Sequence, residues 1–337
     1  MLDHYLTFIT YNWITVIISL VAIMFLLNFA TWKLEEQLSV IWKKLKISPS
    51  VRGATFDAVS SSLPELLTWL AWLLILKEKW LEVWIWTIWG SAIFNILIIP
   101  ALVILFYKWK KIRVYLWGIK RDTGFYVLAV LIFILWLYFN QLLIMSILLV
   151  LLYAFYIGFL YFESLKHKKE NLQETEKNYE KVKNIKINYL IILVSLVLTY
   201  LWVEAAVVAA SFIAEQLNIS VLIVSLVLLA GITSIPDTLL SIKSSMKWDI
   251  DAWLSNAIWS NIFDICIWLW VPILIWLTIM NLKLQVNFND NVGVFAFLII
   301  TTIIYFALLS RKNISKTTGY LLLLLYWIFI LYLIYIS

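Results

Sequence analysis

Hydrophobic positions in this chain do not alternate. They run for about twenty residues at a time, and the runs recur from end to end. Lipid demands that backbone polar groups be satisfied within the segment that crosses it, so such runs predict membrane-spanning helices. Ten spans are read at about 9–30, 50–76, 83–107, 123–139, 142–162, 188–214, 219–245, 252–280, 292–310 and 318–336. No ten-residue alternation suggests an outer-membrane barrel. The start, MLDHYL, lacks a basic region and a small-residue cleavage site follows nowhere near it, so the first run is expected to be retained as a span.

Two spans-and-turn stretches break the apolar pattern in the same way. From Gly231 to Pro272 the chain carries Thr233, Ser234, Pro236 and Asp237, then Ser260 and Asp264. From Ser60 to Pro100 it carries Ser61, Ser62, Pro64 and Glu65, then Ser91 and Asn95. Glu65 and Asp237 share an offset of 172 with Pro64 and Pro236, while Ser91–Ser260 and Asn95–Asp264 are both 169 apart. A three-residue difference in the turn near Lys77–Leu81 reconciles the two offsets, so hairpins 50–107 and 219–280 correspond.

Composition and charge refine this reading. The chain is 64% hydrophobic and 14% charged, outside the range of soluble domains. All of its 26 basic residues except Lys77, Lys79 and Lys283 fall in or beside 31–49, 108–122, 163–187, 246–251 and 311–317. The positive-inside rule therefore puts those segments in the cytoplasm and the N-terminus outside, in a cell inner (plasma) membrane. It also accounts for the net charge of +6 without a nucleic-acid partner. Residues 163–187 form the one long polar stretch, read as a cytoplasmic charged linker between 1–162 and 188–337. Five spans on each side force opposite orientations. The expected fold is an all-α integral membrane protein of ten transmembrane helices, arranged as two inverted-topology five-helix repeats. One cysteine, Cys266, excludes an intramolecular disulfide, and His4 and His167 lie too far toward the terminus and the linker to anchor a buried metal.

The polar positions are hard oxygen donors. Ser61 and Ser62 precede Glu65 by one helical turn, as Thr233 and Ser234 precede Asp237, so each set shares a face. Proline removes an amide donor and leaves a carbonyl to find another partner. Ser91 with Asn95 and Ser260 with Asp264 are four apart and supply the second arms. Carboxylates, an amide and hydroxyls without thiolate or imidazole suit sodium or calcium rather than copper or structural zinc. A buried hydroxyl commonly bonds its own helix, and a proline commonly only kinks one. Ionisable groups at membrane depth usually mark a pathway or a partner, which favours a functional role for Glu65, Asp237 and Asp264. Glu65, Asp237, Asn95 and Asp264 are the expected metal-contacting groups. Asp57 either lines the access path or pairs with Arg52. Glu204 is mid-span and suggests a pathway or proton-relay position.

The first motif, GATFDAVSSSLPELLTWL with WTIWGSAIFNI, and the second, GITSIPDT with SNAIWSNIFDI, resemble the paired repeats of the cation/calcium antiporter superfamily. The wording is most similar to the potassium-dependent sodium/calcium exchanger branch and its prokaryotic relatives. That resemblance implies a secondary active antiporter, not an enzyme, exchanging calcium for sodium by alternating access, with potassium in some members and protons in others. It implies a core site of Glu65, Asp237, Ser61, Ser62, Thr233 and Ser234, and outer sites of Ser91, Asn95, Ser260 and Asp264. Spans 1 and 6 would slide as a pair. No cofactor is implied, only transported ions and the lipid bilayer. Two alternatives share the same residues: a proton-coupled divalent cation antiporter and a cation channel.

The match departs from the family in one patterned way. Tryptophan stands where relatives have glycine, most clearly at Trp86, Trp248, Trp259, Trp268 and Trp270, with Trp69, Trp72, Trp84 and Trp253 as further cases. The chain holds 20 Trp and 8 Gly, the reverse of the usual bias in membrane helices. One reading is divergence with repacked helices. The favoured one is that UGA encodes glycine in the source organism and was translated as tryptophan.

Overall fold

The computed structural model describes residues 9–76, 80–106, 112–113, 116–139, 141–166, 176–246, 250–279, 288–311 and 313–336. Trp248, Lys77, Lys79, Lys283 and His167 lie outside the described residues. What is described is helical, apart from one ladder two residues long: β1 (Ile112–Arg113) pairs antiparallel with β2 (Asn313–Ile314). Among the described residues, eight helices are long and apolar enough to cross a membrane, so the protein is an all-α, multi-pass membrane protein. The helices Leu63–Leu76 and Leu116–Phe139 fall at two further predicted spans.

α1 (Trp13–Lys44) is longer than the span 9–30 read from hydropathy. Nothing between Ala30 and Lys44 stops a helix, so it continues beyond the apolar run until Leu45, with Lys43 and Lys44 favourably placed at its C-terminal dipole. Asn12 caps its start, accepting from the Thr15 amide at 2.9 Å.

The first hairpin is not a simple helix. α2 (Pro49–Arg52) runs into a π-helical turn at Gly53–Asp57, then α3 (Ala58–Ser61), a break at Ser62 (φ −90°, ψ 8°) and α4 (Leu63–Leu76). Its second arm is α5 (Trp80–Phe106). The same interruptions recur later: α9 (Val221–Val224), a π turn at Ser225–Leu229, α10 (Ala230–Thr233), a break at Ser234 (φ −81°, ψ 3°) and α11 (Ile235–Met246). Gly53 to Ser225, Ala58 to Ala230 and Leu63 to Ile235 are each 172 residues apart. The second arm is α12 (Ile250–Phe263), a π turn at Asp264–Trp268 and α13 (Trp270–Ile279). Pro64 and Pro236 each occupy the second position of the restarted helix, where the missing amide costs least.

The hairpins pack reciprocally. α5 lies against the π turn Ser225–Leu229, and α12 lies against the π turn Gly53–Asp57. At Gly90 the approach is so close that a Cβ would overlap the Leu226 carbonyl. Around this centre stand α6 (Leu116–Phe139), α7 (Leu142–Lys166), α8 (Tyr189–Leu217), α14 (Phe288–Leu309) and α15 (Lys316–Ile336). α1 and α8 run side by side along one flank, and α15 backs α5. The outer helices expose long apolar side chains such as Phe155, Leu193 and Ile334, as lipid contact requires.

Candidate cation site

The break at Ser62 restarts the helix so that Glu65 falls in the first turn of α4, and the break at Ser234 does the same for Asp237 in α11. Both carboxylates therefore sit at a helix N-terminus, where the dipole and free amides favour negative charge. Both are fully buried.

Side chains from both hairpins close around them. Ser91 of α5 and Ser234 of the other hairpin each donate 3.2 Å to Glu65 Oε1, and their own Oγ atoms are 2.7 Å apart. Ser260 donates 2.7 Å to Asp237 Oδ1, and Asn95 donates 3.5 Å to Asp237 Oδ2. Thr233 lies beside Glu65 and bonds Ala230 O, while Ser61 lies beside Asp237 and bonds Asp57 O at 2.8 Å. Asp264 opens the third π turn within the field of both Glu65 and Asp237, with Ser62 facing it. Ser61, Ser62, Glu65, Ser91, Asn95, Thr233, Ser234, Asp237, Ser260 and Asp264 are thus brought together from segments far apart in sequence.

Two further positions fall elsewhere. Asp57 pairs with Arg52 at 2.9 Å, and Glu204 is a half-buried side chain of α8 beside Tyr200, with Oε2 lacking a donor. Three polar residues that the sequence pattern passed over belong to the cluster. Asn261 donates 3.0 Å to Ala92 O and accepts from Asn95 at 3.0 Å, tying one second arm to the other. Asn256 donates to Ser241 Oγ at 3.1 Å and to the Asp237 carbonyl at 3.5 Å. Asn256, Ser260 and Asp264 are four apart on α12, a spacing that would have revealed Asn256 as part of the same face.

The donors do not satisfy the acceptors. Glu65 Oε2, Asn95 Oδ1, Ser62 Oγ and both Asp264 carboxylate oxygens are buried and accept no hydrogen bond. Among the described ion pairs, none involves Glu65, Asp237 or Asp264. Buried carboxylates that lack a basic partner carry a penalty of several kcal/mol unless another positive charge arrives. Among the described residues no three His, Cys, Asp or Glu side chains form a ready-made metal cluster. The acids are instead interleaved with hydroxyls and amides.

The comparisons with known proteins follow the same segments. The profile of the sodium/calcium exchanger protein family matches residues 12–162 and 187–335. The chain belongs to the sodium/calcium exchanger family. Members of that family, within the cation/calcium antiporter superfamily, are transporters rather than enzymes. It is 42% identical over 123 residues to human sodium/potassium/calcium exchanger 1, covering 36% of this chain and 11% of that protein. It is 37% identical over 121 residues to mouse sodium/potassium/calcium exchanger 4, covering 36% of this chain and 19% of that protein. The chain thus aligns with less than a fifth of the length of these relatives. Among solved structures, an H+/Ca2+ exchanger aligns over 97% of this chain and 87% of its own at 15% identity and a TM-score of 0.71. The sodium/calcium exchanger from Methanococcus jannaschii aligns over 93% of this chain and 96% of its own at 23% identity and a TM-score of 0.58. At such identities the likeness is one of fold.

Proposed function

We propose that this protein is a secondary active antiporter that exchanges calcium for sodium by alternating access. Glu65 and Asp237 hold the ion at the centre, assisted by Ser61, Ser62, Thr233 and Ser234. Ser91, Asn95, Ser260 and Asp264 extend the site outward. The observation that carries this reading is the set of buried oxygens without donors on Ser62, Glu65, Asn95 and Asp264, in a cluster with no paired basic side chain. A dehydrated cation satisfies those oxygens, and one divalent or several monovalent ions neutralise the same acids. Crossing the apolar barrier with the acids bare is costly, which makes the two fluxes alternate.

The architecture we assign is ten spans in two inverted five-helix repeats, 1–162 and 188–337, joined by a cytoplasmic linker at 163–187, with the N-terminus outside. The recurring breaks at an offset of 172 and the reciprocal packing of the hairpins support it. The pairing of β1 with β2 supports a common side for segments 108–122 and 311–317. The side-by-side α1 and α8 would be the sliding pair.

The test is calcium uptake into vesicles reconstituted with the purified protein, under separate sodium, potassium and proton gradients. An outward sodium gradient drives uptake, and Glu65→Gln or Asp237→Asn abolishes it in protein that remains folded. Normal uptake in either variant sinks the assignment. A second reading, proton-coupled divalent cation exchange, draws on Glu204, whose Oε2 lacks a donor. Uptake driven by a pH gradient without sodium, and lost in Glu204→Gln, would select it. Calcium flux that needs no counter-ion would select a channel instead.

A further inference from the structure

Asn95 and Asn261 come from the second arms of the two hairpins, α5 and α12, and both are fully buried. The two ends of a primary amide have nearly the same shape, so hydrogen bonding decides which end faces which neighbour. Here the decision starts at the Ala92 carbonyl, a group that can only accept. Asn261 turns its Nδ2 to that oxygen at 3.0 Å. Its Oδ1 is thereby the atom that meets Asn95, and Asn95 donates to it from Nδ2 at 3.0 Å. Asp237 Oδ2, 3.5 Å from the same Nδ2, is a second acceptor for the nitrogen end. With that end committed, Asn95 keeps Oδ1 as a buried oxygen that accepts no hydrogen bond.

The arrangement is not repeated in the other half. Ala92 is itself the counterpart of Asn261, 169 residues earlier, and Asn95 is the counterpart of Asp264 at the same offset. An alanine side chain neither donates nor accepts, and a carboxylate, with two like oxygens, needs no orienting. Both Asp264 oxygens are buried without a donor. An asparagine thus stands at 261 opposite the arm whose acceptor can be turned the wrong way round.

We propose that Asn261 is a positioning residue, which holds the Asn95 amide with its oxygen rather than its NH2 group turned to the transported cation. This rests on reading the central cluster as a cation site. A reversed Asn95 amide would present N–H groups to a cation and set two oxygens against each other at Asn261. Both ends of the Asn261 amide are engaged, so it acts through Asn95. Removing the partner that orients a metal-contacting group commonly weakens affinity on the order of ten- to a hundredfold.

Equilibrium calcium binding to the purified protein in detergent tests this as a set of double-mutant cycles. Asn261→Ala weakens calcium binding on the order of tenfold. Asn261→Leu, which fills the space between the arms without polar atoms, is measured beside it and weakens binding in the same way. Thermal unfolding of each variant establishes that it is folded. In the Asn95→Ala background Asn261→Ala costs nothing further, because the amide it orients is gone. In the Asn95→Asp background it costs nothing or tightens binding, because a carboxylate has no end to reverse and is opposed by Asn261 Oδ1. A purely structural role for Asn261 gives the same loss in every background, and that result overturns the proposal. So does binding of wild-type strength in Asn261→Ala or Asn261→Leu. If the wild-type protein binds no calcium, the cation-site reading itself fails and takes this inference with it.

Discussion

At Gly90 the backbone of α5 rests on the Leu226 carbonyl, and no side chain fits. Its counterpart 169 residues later is Trp259, whose ring lies against Gly53 so tightly that a Cβ there would overlap it. The two hairpins thus meet each other's π turns in matching ways, through a glycine on one side and an indole on the other. Trp259 does find a partner, donating 3.1 Å to Asp122 Oδ2. Trp72 and Trp268 do not: their indole N–H groups are buried without an acceptor, a cost of about 1–3 kcal/mol each. Glycine at these positions removes both the bulk and the orphaned donors. Peptide mass spectrometry of the native protein across residues 252–272 is expected to read glycine at 259, 268 and 270, and intact tryptophans would restore the divergence reading. Glu65, Asp237, Ser91 and Ser260 declared themselves because each had a polar counterpart at a fixed offset. Asn256, Asn261 and Ser241 did not, because their counterparts are Thr87, Ala92 and Trp69, and a repeat search sees no match there. Their bonds cross between hairpin arms, and such pairing exists only once the arms are packed.

Among the elements, the broken helices matter most. Hydropathy read 50–76, 219–245 and 252–280 as continuous spans, because a π turn or a single non-helical serine does not interrupt an apolar run. Only the prolines and the hydroxyls before them hinted at the breaks at Ser62 and Ser234. Those breaks are what place Glu65 and Asp237 at helix N-termini inside the molecule. α1 went the other way, running on to Lys44 where hydropathy ended it near residue 30, since polarity alone does not end a helix. Close packing of α5 on the second π turn gives a direct prediction. Gly90→Ala forces the arms apart at a backbone contact, and a destabilisation of about 1–3 kcal/mol is expected, as for an overpacked core. Thermal unfolding in detergent would show it as a lowered midpoint. An unchanged midpoint would mean that the hairpins are not in contact at Leu226.

Across the whole molecule, the proposed orientation rests on charge. The basic residues gather in the segments assigned to one side, and the ladder of Ile112–Arg113 with Asn313–Ile314 ties two of those segments together. A protease added to inside-out vesicles should therefore cut within 163–187, while right-side-out vesicles protect it; cutting from the outer face would invert the assigned orientation. α6 and α7 are held to the core by a buried polar knot. Arg121 engages Asp122 at 2.6 Å and also Glu163, while Tyr156 donates 2.9 Å to Asp122. In the proposed cycle we assign the movement to α1 with α8.

The proposed exchange depends on two acids from opposed hairpins holding one shared set of ions. Equilibrium binding of calcium to the purified protein in detergent, with sodium as competitor, tests this most directly. Calcium should bind to the wild-type protein, be displaced by sodium, and fail to bind when either Glu65→Gln or Asp237→Asn is present. Calcium retained by either variant, or calcium and sodium bound together without competition, would contradict it.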